Sequence, residues 1–271
     1  MGIRLLIFLE KKKKKNKELI YLRKKYKSSY KSIFFSNFIE IPKKLVNQKI
    51  DYFINFATFY KNSHKHNEIR NFVNANVLFP TIVLDLIFSK VKTVINFGTM
   101  MQHKDGKSYS PKNFYASTKS AFEMISNFYI LRNKKMKFYN LKFYESYARS
   151  DTRKKLIPQL LINYKKNILT KIVSKKLELN IIHIKDIINA INIVLNNNLK
   201  NGTYCLKQKK NINIYNLIRN INKKLKKKIK VKYLNSDTNK PNKSNLKILP
   251  KWTTKYNIQK EIEEAFYNEN N

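Results

Sequence analysis

The chain has 271 residues, of which 57 are lysine or arginine and 17 are aspartate or glutamate, so its formal net charge is +40 at pH 7. Its hydrophobic content of 42% supports a sizeable core, and its single cysteine, Cys205, excludes an internal disulfide and fits a reducing compartment. No stretch is apolar for long enough to span a bilayer, because Asp85 interrupts the longest candidate, residues 77–91.

The positive charge is almost entirely lysine, in a chain that is also rich in asparagine and isoleucine and holds only 4 glycines and 6 prolines. This composition is typical of codon drift in an AT-rich genome, whereas a base-reading surface favours arginine. We therefore expect no specific nucleic-acid partner and no membrane partner, and a basic nucleic-acid-binding protein stays as an alternative. Residues 1–9 place apolar residues before the lysines, the reverse of a signal peptide, which predicts a cytoplasmic protein.

Apolar runs and helical periodicity predict the elements in chain order. Strands are expected at 18–22, 32–35, 51–58, 94–97, 138–144, 201–206 and 227–231, and helices at 3–9, 67–90, from Tyr115 onward, after Asp186, at 212–225 and up to Phe266. Strands and helices alternate without hairpin signals. The pattern predicts an α/β fold with a mainly parallel sheet and helices on both faces.

Residues 94–123 carry the clearest chemistry. The apolar strand at 94–97 ends at Gly98, so Thr99 lies at the end of a strand. A polar loop closed by Pro111 leads into the helix that begins near Tyr115. The Thr99 hydroxyl is therefore expected to face whatever the edge of the sheet opens onto, where it can hydrogen-bond a substrate oxygen.

Tyr115 and Lys119 are four residues apart, which places both side chains on one helical face. A cation near a phenol favours the phenolate and so makes tyrosine a usable acid or base near neutral pH. The same spacing at Tyr21 and Lys25, or at Tyr256 and Lys260, is typical of a solvated helix face. What distinguishes Tyr115 is the strand, the Gly98-Thr99 end and the proline-closed loop before it.

The motifs at 96–103, 109–111 and 115–119, reading NFGTMMQH, YSP and YASTK, resemble the active-site segment of the extended short-chain dehydrogenase/reductases. Within these, the chain resembles the NAD-dependent epimerase/dehydratase family that acts on nucleotide sugars, and most of all the branch with the CDP-abequose and CDP-paratose synthases. The resemblance implies that Tyr115 is the catalytic acid/base, that Lys119 binds the nicotinamide ribose and tunes Tyr115, and that Thr99 holds the substrate oxygen.

The resemblance also implies a Rossmann-like cofactor domain over residues 1–150 and a mostly substrate-binding lobe over 151–271. On this pattern Gly2 matches the third glycine of the dinucleotide-binding turn, while the first strand and the first two glycines have no counterpart in the sequence. This departure motivates a second alternative, a degenerate homologue that keeps the outline of the fold without catalysis.

Cofactor contacts are predicted from the same resemblance. The predicted strand at 18–22 matches the family's second strand, and its end carries Arg23 and no acidic residue, which leans slightly toward NADP over NAD. The strand at 51–58 matches the family's fourth strand. Ala57 and Thr58 match the turn at its end, which lies over the cofactor, and Asn76 matches a family asparagine in the following helix. For Asn76 a local structural role is an equal alternative.

Substrate contacts are expected from Thr99, Met100 and Arg153. The segment 145–156 resembles the family linker to the sugar-nucleotide lobe, in which Arg153 would contact the diphosphate, with a surface ion pair to Asp151 as the alternative. The family further implies a nucleotide-sugar substrate, glycan or lipopolysaccharide precursor synthesis and a possible homodimer. Dehydration is disfavoured because Met100 and Met101 replace the extra acid/base pair, and no metal role is expected at His64 or His66.

Overall fold

The computed structural model describes residues 19–22, 31–34, 50–104, 106, 109–149, 151, 153, 155–236 and 245–268, the first two ranges by their backbone. The predicted helix at 3–9 and the predicted cofactor contacts of Gly2 and Arg23 lie outside the described residues. The chain divides into two compact units, Met1–Lys142 with Val194–Tyr204 and Phe143–Ile193 with Cys205–Asn271.

The described elements follow in chain order. The strands are β1 (Leu19–Leu22), β2 (Lys31–Phe34), β3 (Tyr52–Asn55), β4 (Thr93–Thr99), β5 (Lys137–Phe143), β6 (Glu145–Tyr147), β7 (Thr170–Ile172), β8 (Glu178–Leu179), β9 (Ile181–His183), β10 (Gly202–Cys205), β11 (Ile212–Asn213) and β12 (Val231–Tyr233). The α-helices are α1 (Ile69–Val73), α2 (Phe79–Ile87), α3 (Phe114–Arg132), α4 (Leu156–Lys165), α5 (Ile184–Asn196), α6 (Ile214–Lys224) and α7 (Ile258–Tyr267).

A four-stranded sheet in the order β10-β5-β4-β3 organises the first unit. Strands β3 and β4 are parallel, with Tyr52 opposite Thr93, and β1 and β2 form a separate parallel pair. Every residue of β4 is buried, as expected for an inner strand of a parallel sheet. The predicted Rossmann-like α/β class, with a mainly parallel sheet, is confirmed.

A layer of asparagines crosses this sheet. Asn55 Nδ2 donates to Asn96 Oδ1 over 2.8 Å, and Asn96 Nδ2 donates to Asn140 Oδ1 over 2.9 Å. The three residues lie on β3, β4 and β5 and are all buried. Each amide satisfies part of its neighbour's hydrogen-bonding capacity, which is what allows polar groups to lie inside the sheet.

The long helix predicted at 67–90 is helical from a 3₁₀ turn at His66–Glu68 to Ile87, but it is interrupted by a π turn at Asn74–Leu78. Pro80 has no N–H with which to bond the carbonyl of Asn76, so the regular ladder cannot continue through this point. Pro80 and Asn76 are both buried. The π turn therefore places a buried asparagine where a regular helix was predicted.

The second unit is built from short strand pairs and helices around its own core. The pairs β6-β9 and β12-β7 are parallel, and β11-β8 is antiparallel. Its core draws mainly on apolar residues of α4, α6 and α7, including Leu160, Leu217 and Ile262. The predicted last strand at 227–231 instead begins at Val231, and helix α6 begins at Ile214 because the Asn213 side chain caps it by accepting from Asn216 N–H.

None of the helices in the described part of the chain is long and apolar enough to cross a membrane.

Candidate active site

Thr99, Tyr115 and Lys119 all belong to the first unit. Thr99 is the last residue of β4, and its buried hydroxyl accepts a hydrogen bond of 3.3 Å from Met101 N–H. Tyr115 lies half-buried in the first turn of α3, and Lys119 follows one turn later. Helix α3 packs against both β4 and the 3₁₀ turn Met100–Gln102. The turn that follows Thr99 is joined to α3 by Gln102, whose Nε2 donates to Ser120 Oγ over 3.2 Å.

The local sequence explains where α3 begins. The Asn113 side chain accepts from Ala116 N–H over 3.0 Å and so caps the helix, one residue earlier than the predicted start at Tyr115. The Asn113 amide also donates to the carbonyl of Asn62 over 3.2 Å. The cap thus ties the first turn of the helix, with Tyr115, to the loop that follows β3.

Lys119 is only 3% exposed. Burial lowers the pKa of its ammonium from 10.5 to about 8, because a buried cation loses its hydration. Within the described residues no carboxylate pairs with it. At pH 7 most of the Lys119 side chains still carry a proton, and this charge lies one helical turn from the Tyr115 phenol, on the same face.

The tyrosine ring contacts a second aromatic residue that the sequence did not single out. The ring of Tyr60 packs edge-on against the ring of Tyr115, with 4.9 Å between the ring centroids. Tyr60 lies in the loop after β3. No local motif marks it, because the contact depends on how this loop packs against α3.

Asn76 is fully buried and uses both ends of its side-chain amide within the protein. Its Oδ1 accepts from Phe59 N–H over 2.8 Å, and its Nδ2 donates to the Phe59 carbonyl and to Thr118 Oγ1 over 3.0 and 2.9 Å. Asn76 therefore holds the loop after β3 against α3. This geometry favours the structural alternative for Asn76, and its predicted cofactor contact stays a prediction.

The other two residues predicted after β3 differ in their surroundings. Ala57 is fully buried and donates its N–H to Asn55 Oδ1 over 3.1 Å, while Thr58 is exposed. Both assignments to the cofactor stay predictions.

The turn after Thr99 is held by the fully buried Gln102. Gln102 Oε1 accepts from Thr99 N–H over 2.9 Å, and Gln102 Nε2 donates to Glu123 Oε2 over 2.8 Å. Met100, in the same turn, is buried, so little of its side chain is available to a substrate. Its predicted substrate contact stays a prediction.

A buried ion pair lies behind this turn. Lys142 Nζ lies 2.8 Å from Glu123 Oε2 and 2.8 Å from His103 Nε2, and the Lys142 side chain is 0% exposed. Burial raises the pKa of the Glu123 carboxyl, but the Lys142 charge and the hydrogen bonds from Lys142, Tyr109 and Gln102 outweigh it and hold that pKa below its usual value. A lysine ammonium can only donate, so His103 accepts at Nε2.

The backbone of Gly98 lies so close to the side chains of Gln102 and Lys142 that a larger residue would collide with them. A Cβ at this position would lie 2.7 Å from Gln102 Oε1 and 2.9 Å from Lys142 Cγ. The strand continues through Gly98 to Thr99, and Gly98 does not have a positive φ, so the prediction that a permissive backbone ends the strand at this residue is wrong. The constraint on Gly98 is steric. Its missing side chain makes room for the polar groups behind the turn.

Sequence reasoning missed Gln102, Glu123 and Lys142 as parts of the site. Glu123 lies one further turn along the face of Tyr115 and Lys119, so helical spacing is a signal that points to it. Lys142 lies in a strand whose apolar residues alternate, where a lysine is expected to face solvent. Its burial follows from the inner position of β5 in the sheet.

In the second unit, Arg153 forms a two-pronged ion pair with Asp151. Its Nε donates to Asp151 Oδ1 over 2.7 Å, and its Nη2 donates to Ser146 Oγ over 3.2 Å. Burial raises the pKa of Asp151, but Arg153 outweighs this and holds it below its usual value. A cavity of about 180 Å³, whose lining includes Tyr147, Arg149 and Asp151, lies in the same unit.

The residues of the first unit fit one end of a nicotinamide dinucleotide. Tyr115 has a hydroxyl and Lys119 an ammonium, one helical turn apart. Both groups can donate hydrogen bonds to the hydroxyl oxygens of a ribose. The predicted pyrophosphate and 2′-phosphate contacts, Gly2 and Arg23, lie outside the described residues.

The mainly parallel sheet with its helices defines a Rossmann-like α/β protein. The model of the NAD dependent epimerase/dehydratase family matches residues 16–214, and the chain belongs to this family. The resemblance read from the sequence is thereby confirmed, as is the prediction of a nicotinamide dinucleotide, since the family is NAD-dependent. The slight preference for NADP, which depends on Arg23, stays a prediction.

Among curated proteins, the chain is similar to the CDP-abequose synthase of Yersinia pseudotuberculosis, with 28% identity over 178 residues. That match covers 65% of this chain and spans 58% of the length of the relative. The predicted nearness to the branch that contains this enzyme is confirmed.

Solved structures share the fold at low identity. MoeE5 in complex with UDP-glucuronic acid and NAD matches with a TM-score of 0.77 and 12% identity, over 92% of this chain and 90% of that one. The UDP-N-acetylglucosamine 4-epimerase from Bacillus cereus matches with a TM-score of 0.70 and 16% identity, over 93% and 90% of the two chains.

Proposed function

We propose that this protein is an NAD(P)-dependent nucleotide-sugar epimerase or ketoreductase that uses Thr99, Tyr115 and Lys119. The observation that carries the proposal is the buried Lys119 ammonium one helical turn from Tyr115, on a helix that packs against the strand ending in Thr99. The family supplies the reaction class, and the named ligands of related proteins, CDP- and UDP-linked sugars, supply the substrate class.

The three side chains have distinct roles in this proposal. Tyr115 exchanges the proton of the sugar hydroxyl, and the Lys119 charge favours its phenolate. The Thr99 hydroxyl accepts from Met101 N–H, so its own proton is available to bond the substrate oxygen. The nicotinamide dinucleotide, when bound, supplies the hydride-transfer chemistry.

Arg153 is the proposed contact for the diphosphate of the substrate. Arg153 carries a guanidinium that suits a diphosphate, and its present partner, Asp151, orients it. We further propose that the protein is cytoplasmic and acts in glycan or lipopolysaccharide precursor synthesis, as the similarity to a CDP-abequose synthase supports.

A homodimer is proposed through α3. Met124, Phe128 and Leu131 are exposed and recur at helical spacing, so they form an apolar stripe on the face of α3 away from the sheet. Light scattering on the purified protein would give twice the chain mass, and Leu131→Glu would return it to the monomer mass. A monomer at all concentrations would contradict this.

The test of the activity is Tyr115→Phe in the full chain. Wild type is incubated with NAD⁺ or NADPH and a panel of CDP- and UDP-linked hexoses, and products are followed by mass spectrometry and absorbance at 340 nm. We expect Tyr115→Phe to lower turnover by about 10²–10⁴-fold, because the ring is kept and the proton-transfer group is lost. Unchanged turnover would refute the role of Tyr115.

Calorimetric titration with NAD⁺ and NADPH separates the enzyme from the degenerate alternative. Binding of either nucleotide by the wild-type chain supports the enzyme. No binding of either, together with no turnover, would favour a non-catalytic homologue. Salt-sensitive DNA binding with sequence preference would be needed to support the nucleic-acid alternative.

A further inference from the structure

A single side chain links the backbone of Thr99 to the helix that carries Tyr115 and Lys119. Gln102 is fully buried, and its carboxamide accepts from Thr99 N–H over 2.9 Å at one end. At the other end it donates to Glu123 Oε2 over 2.8 Å and to Ser120 Oγ over 3.2 Å. The place of Thr99 relative to α3 is therefore set through the two ends of one amide.

Glu123 is the point on α3 where several elements are joined. It lies eight residues after Tyr115, two helical turns along the same face. Besides Gln102, it accepts from Lys142 Nζ on β5 over 2.8 Å and, at Oε1, from Thr203 Oγ1 on β10 over 3.2 Å. Tyr109, from the loop before the helix, also hydrogen-bonds to this carboxylate.

A buried ion pair is an unusual way to fill this space. Apolar residues of the same volume often stabilise a core as well as a buried pair does, because burying two charges is costly. Unlike apolar groups, the charged and amide groups fix the orientation of their neighbours, because a hydrogen bond is favourable only over a narrow range of angles. Hydroxyl groups that act on a reacting oxygen must be held to within a fraction of an ångström.

We propose that Gln102 and Glu123 are positioning residues, which hold the Thr99 hydroxyl at a fixed place relative to Tyr115 and Lys119. Lys142 keeps Glu123 ionised and in place. This role rests on the proposed function of the three residues, and it adds two residues that act through Thr99 without touching the substrate.

The test exchanges the amide of residue 102 with the carboxylate of residue 123. Gln102→Glu alone sets two buried carboxylates against each other, whereas Gln102→Glu combined with Glu123→Gln restores one amide and one carboxylate in exchanged places. Tyr129→Phe is the matched control. Tyr129 lies on α3, as Glu123 does, and the change removes the 3.0 Å bond from its hydroxyl to Asp85 on α2, away from the Thr99 turn. Two readouts are taken on the full chain: NMR amide exchange of Thr99 and Met101, and kcat and KM with a hexose nucleotide that wild type converts.

In Gln102→Glu we expect both amides to exchange at least about tenfold faster than in the control. We expect kcat to fall about 10- to 100-fold, with KM within about threefold of wild type, because misplacement of the hydroxyl affects the transition state more than binding. Glu123→Gln alone leaves Lys142 without its carboxylate, so it serves as the reference for the double exchange. In the double exchange we expect both amides to exchange no faster than in Glu123→Gln, because residues 102 and 123 again pair an amide with a carboxylate, whereas general loosening of the core would add the two effects. Wild-type exchange in folded Gln102→Glu, or a double variant that exchanges faster than both single variants, would overturn the proposal.

Gln102→Met is the second variant, for use if Gln102→Glu does not fold. It removes both hydrogen bonds without adding charge, so the same faster exchange is expected, and adding Glu123→Gln should not recover it. Recovery there would overturn the proposal. If wild type converts no CDP- or UDP-linked hexose, the proposed function fails by itself, and the amide exchange still decides whether Gln102 and Glu123 position the turn.

Discussion

Two lysines are buried among the described residues of the first unit, and they have opposite surroundings. Lys142 is 0% exposed and lies 2.8 Å from the carboxylate of Glu123, so its charge is matched inside the core. Lys119 is 3% exposed, and burial by itself lowers its pKa to about 8. A paired lysine is a fixed part of the packing, whereas a lysine buried without a carboxylate stays poised between two protonation states.

The comparison separates stability from activity. The Lys142 pair is expected to stabilise the fold, because breaking it leaves a buried charge. Lys119 is expected to destabilise the fold and to be retained for catalysis, as is common where an active site needs a desolvated charge. The following three changes test this contrast, from the largest expected effect to the smallest.

Lys142→Met is expected to lower the free energy of unfolding by about 3–5 kcal/mol, because Glu123 loses its ammonium while it stays buried. Urea titration followed by circular dichroism gives the change. The control is Lys142→Met combined with Glu123→Gln, which removes both charges, keeps an acceptor for Gln102 and Thr203, and should recover most of the loss. A loss below about 1 kcal/mol would mean that the pair does not contribute to the packing.

Lys119→Met is expected to raise the free energy of unfolding at pH 7 by up to about 3 kcal/mol, since each unit of pKa depression corresponds to about 1.4 kcal/mol. The same variant should lose turnover about 100-fold or more, because Tyr115 loses its cation. Urea titration and the nucleotide-sugar assay measure the two effects. A variant that is less stable than wild type would show that Lys119 is a structural residue like Lys142.

The pH dependence of wild-type stability gives the smallest effect. Between the folded pKa of about 8 and the ordinary value of 10.5, the unfolded chain holds the Lys119 proton and the folded chain does not. The free energy of unfolding therefore gains up to about 1 kcal/mol per pH unit in this window from Lys119 alone. Below pH 8 both states are protonated, and the full cost of burial remains.

The contribution of Lys119 to the pH dependence is the difference between the free energies of unfolding of wild type and of Lys119→Met. Unfolding of wild type and of Lys119→Met is measured from pH 7 to pH 10, and the other titrating groups cancel in the difference. We expect the stability gap between the two proteins to close as the pH rises. A gap that is constant with pH would contradict the lowered pKa.

Much of the site was predictable because it is local. The end of β4 at Thr99 follows from an apolar run that stops at Gly98, and the shared face of Tyr115 and Lys119 follows from helical periodicity. The family could be recognised for the same reason, since its motif is a contiguous stretch of chain. The fold class followed from the alternation of strands and helices.

The amino-acid sequence by itself determined which residues end the strand and begin the helix, because these depend on neighbours within a few positions. Only the tertiary structure decided which lysine has a partner, since Glu123 and Lys142 lie on different elements and meet where α3 packs on the sheet. In a chain with 57 basic residues, Lys142 looks like any other surface lysine until an inner strand buries it. Burial and ion pairing are properties of packing, and packing joins residues that the sequence keeps apart.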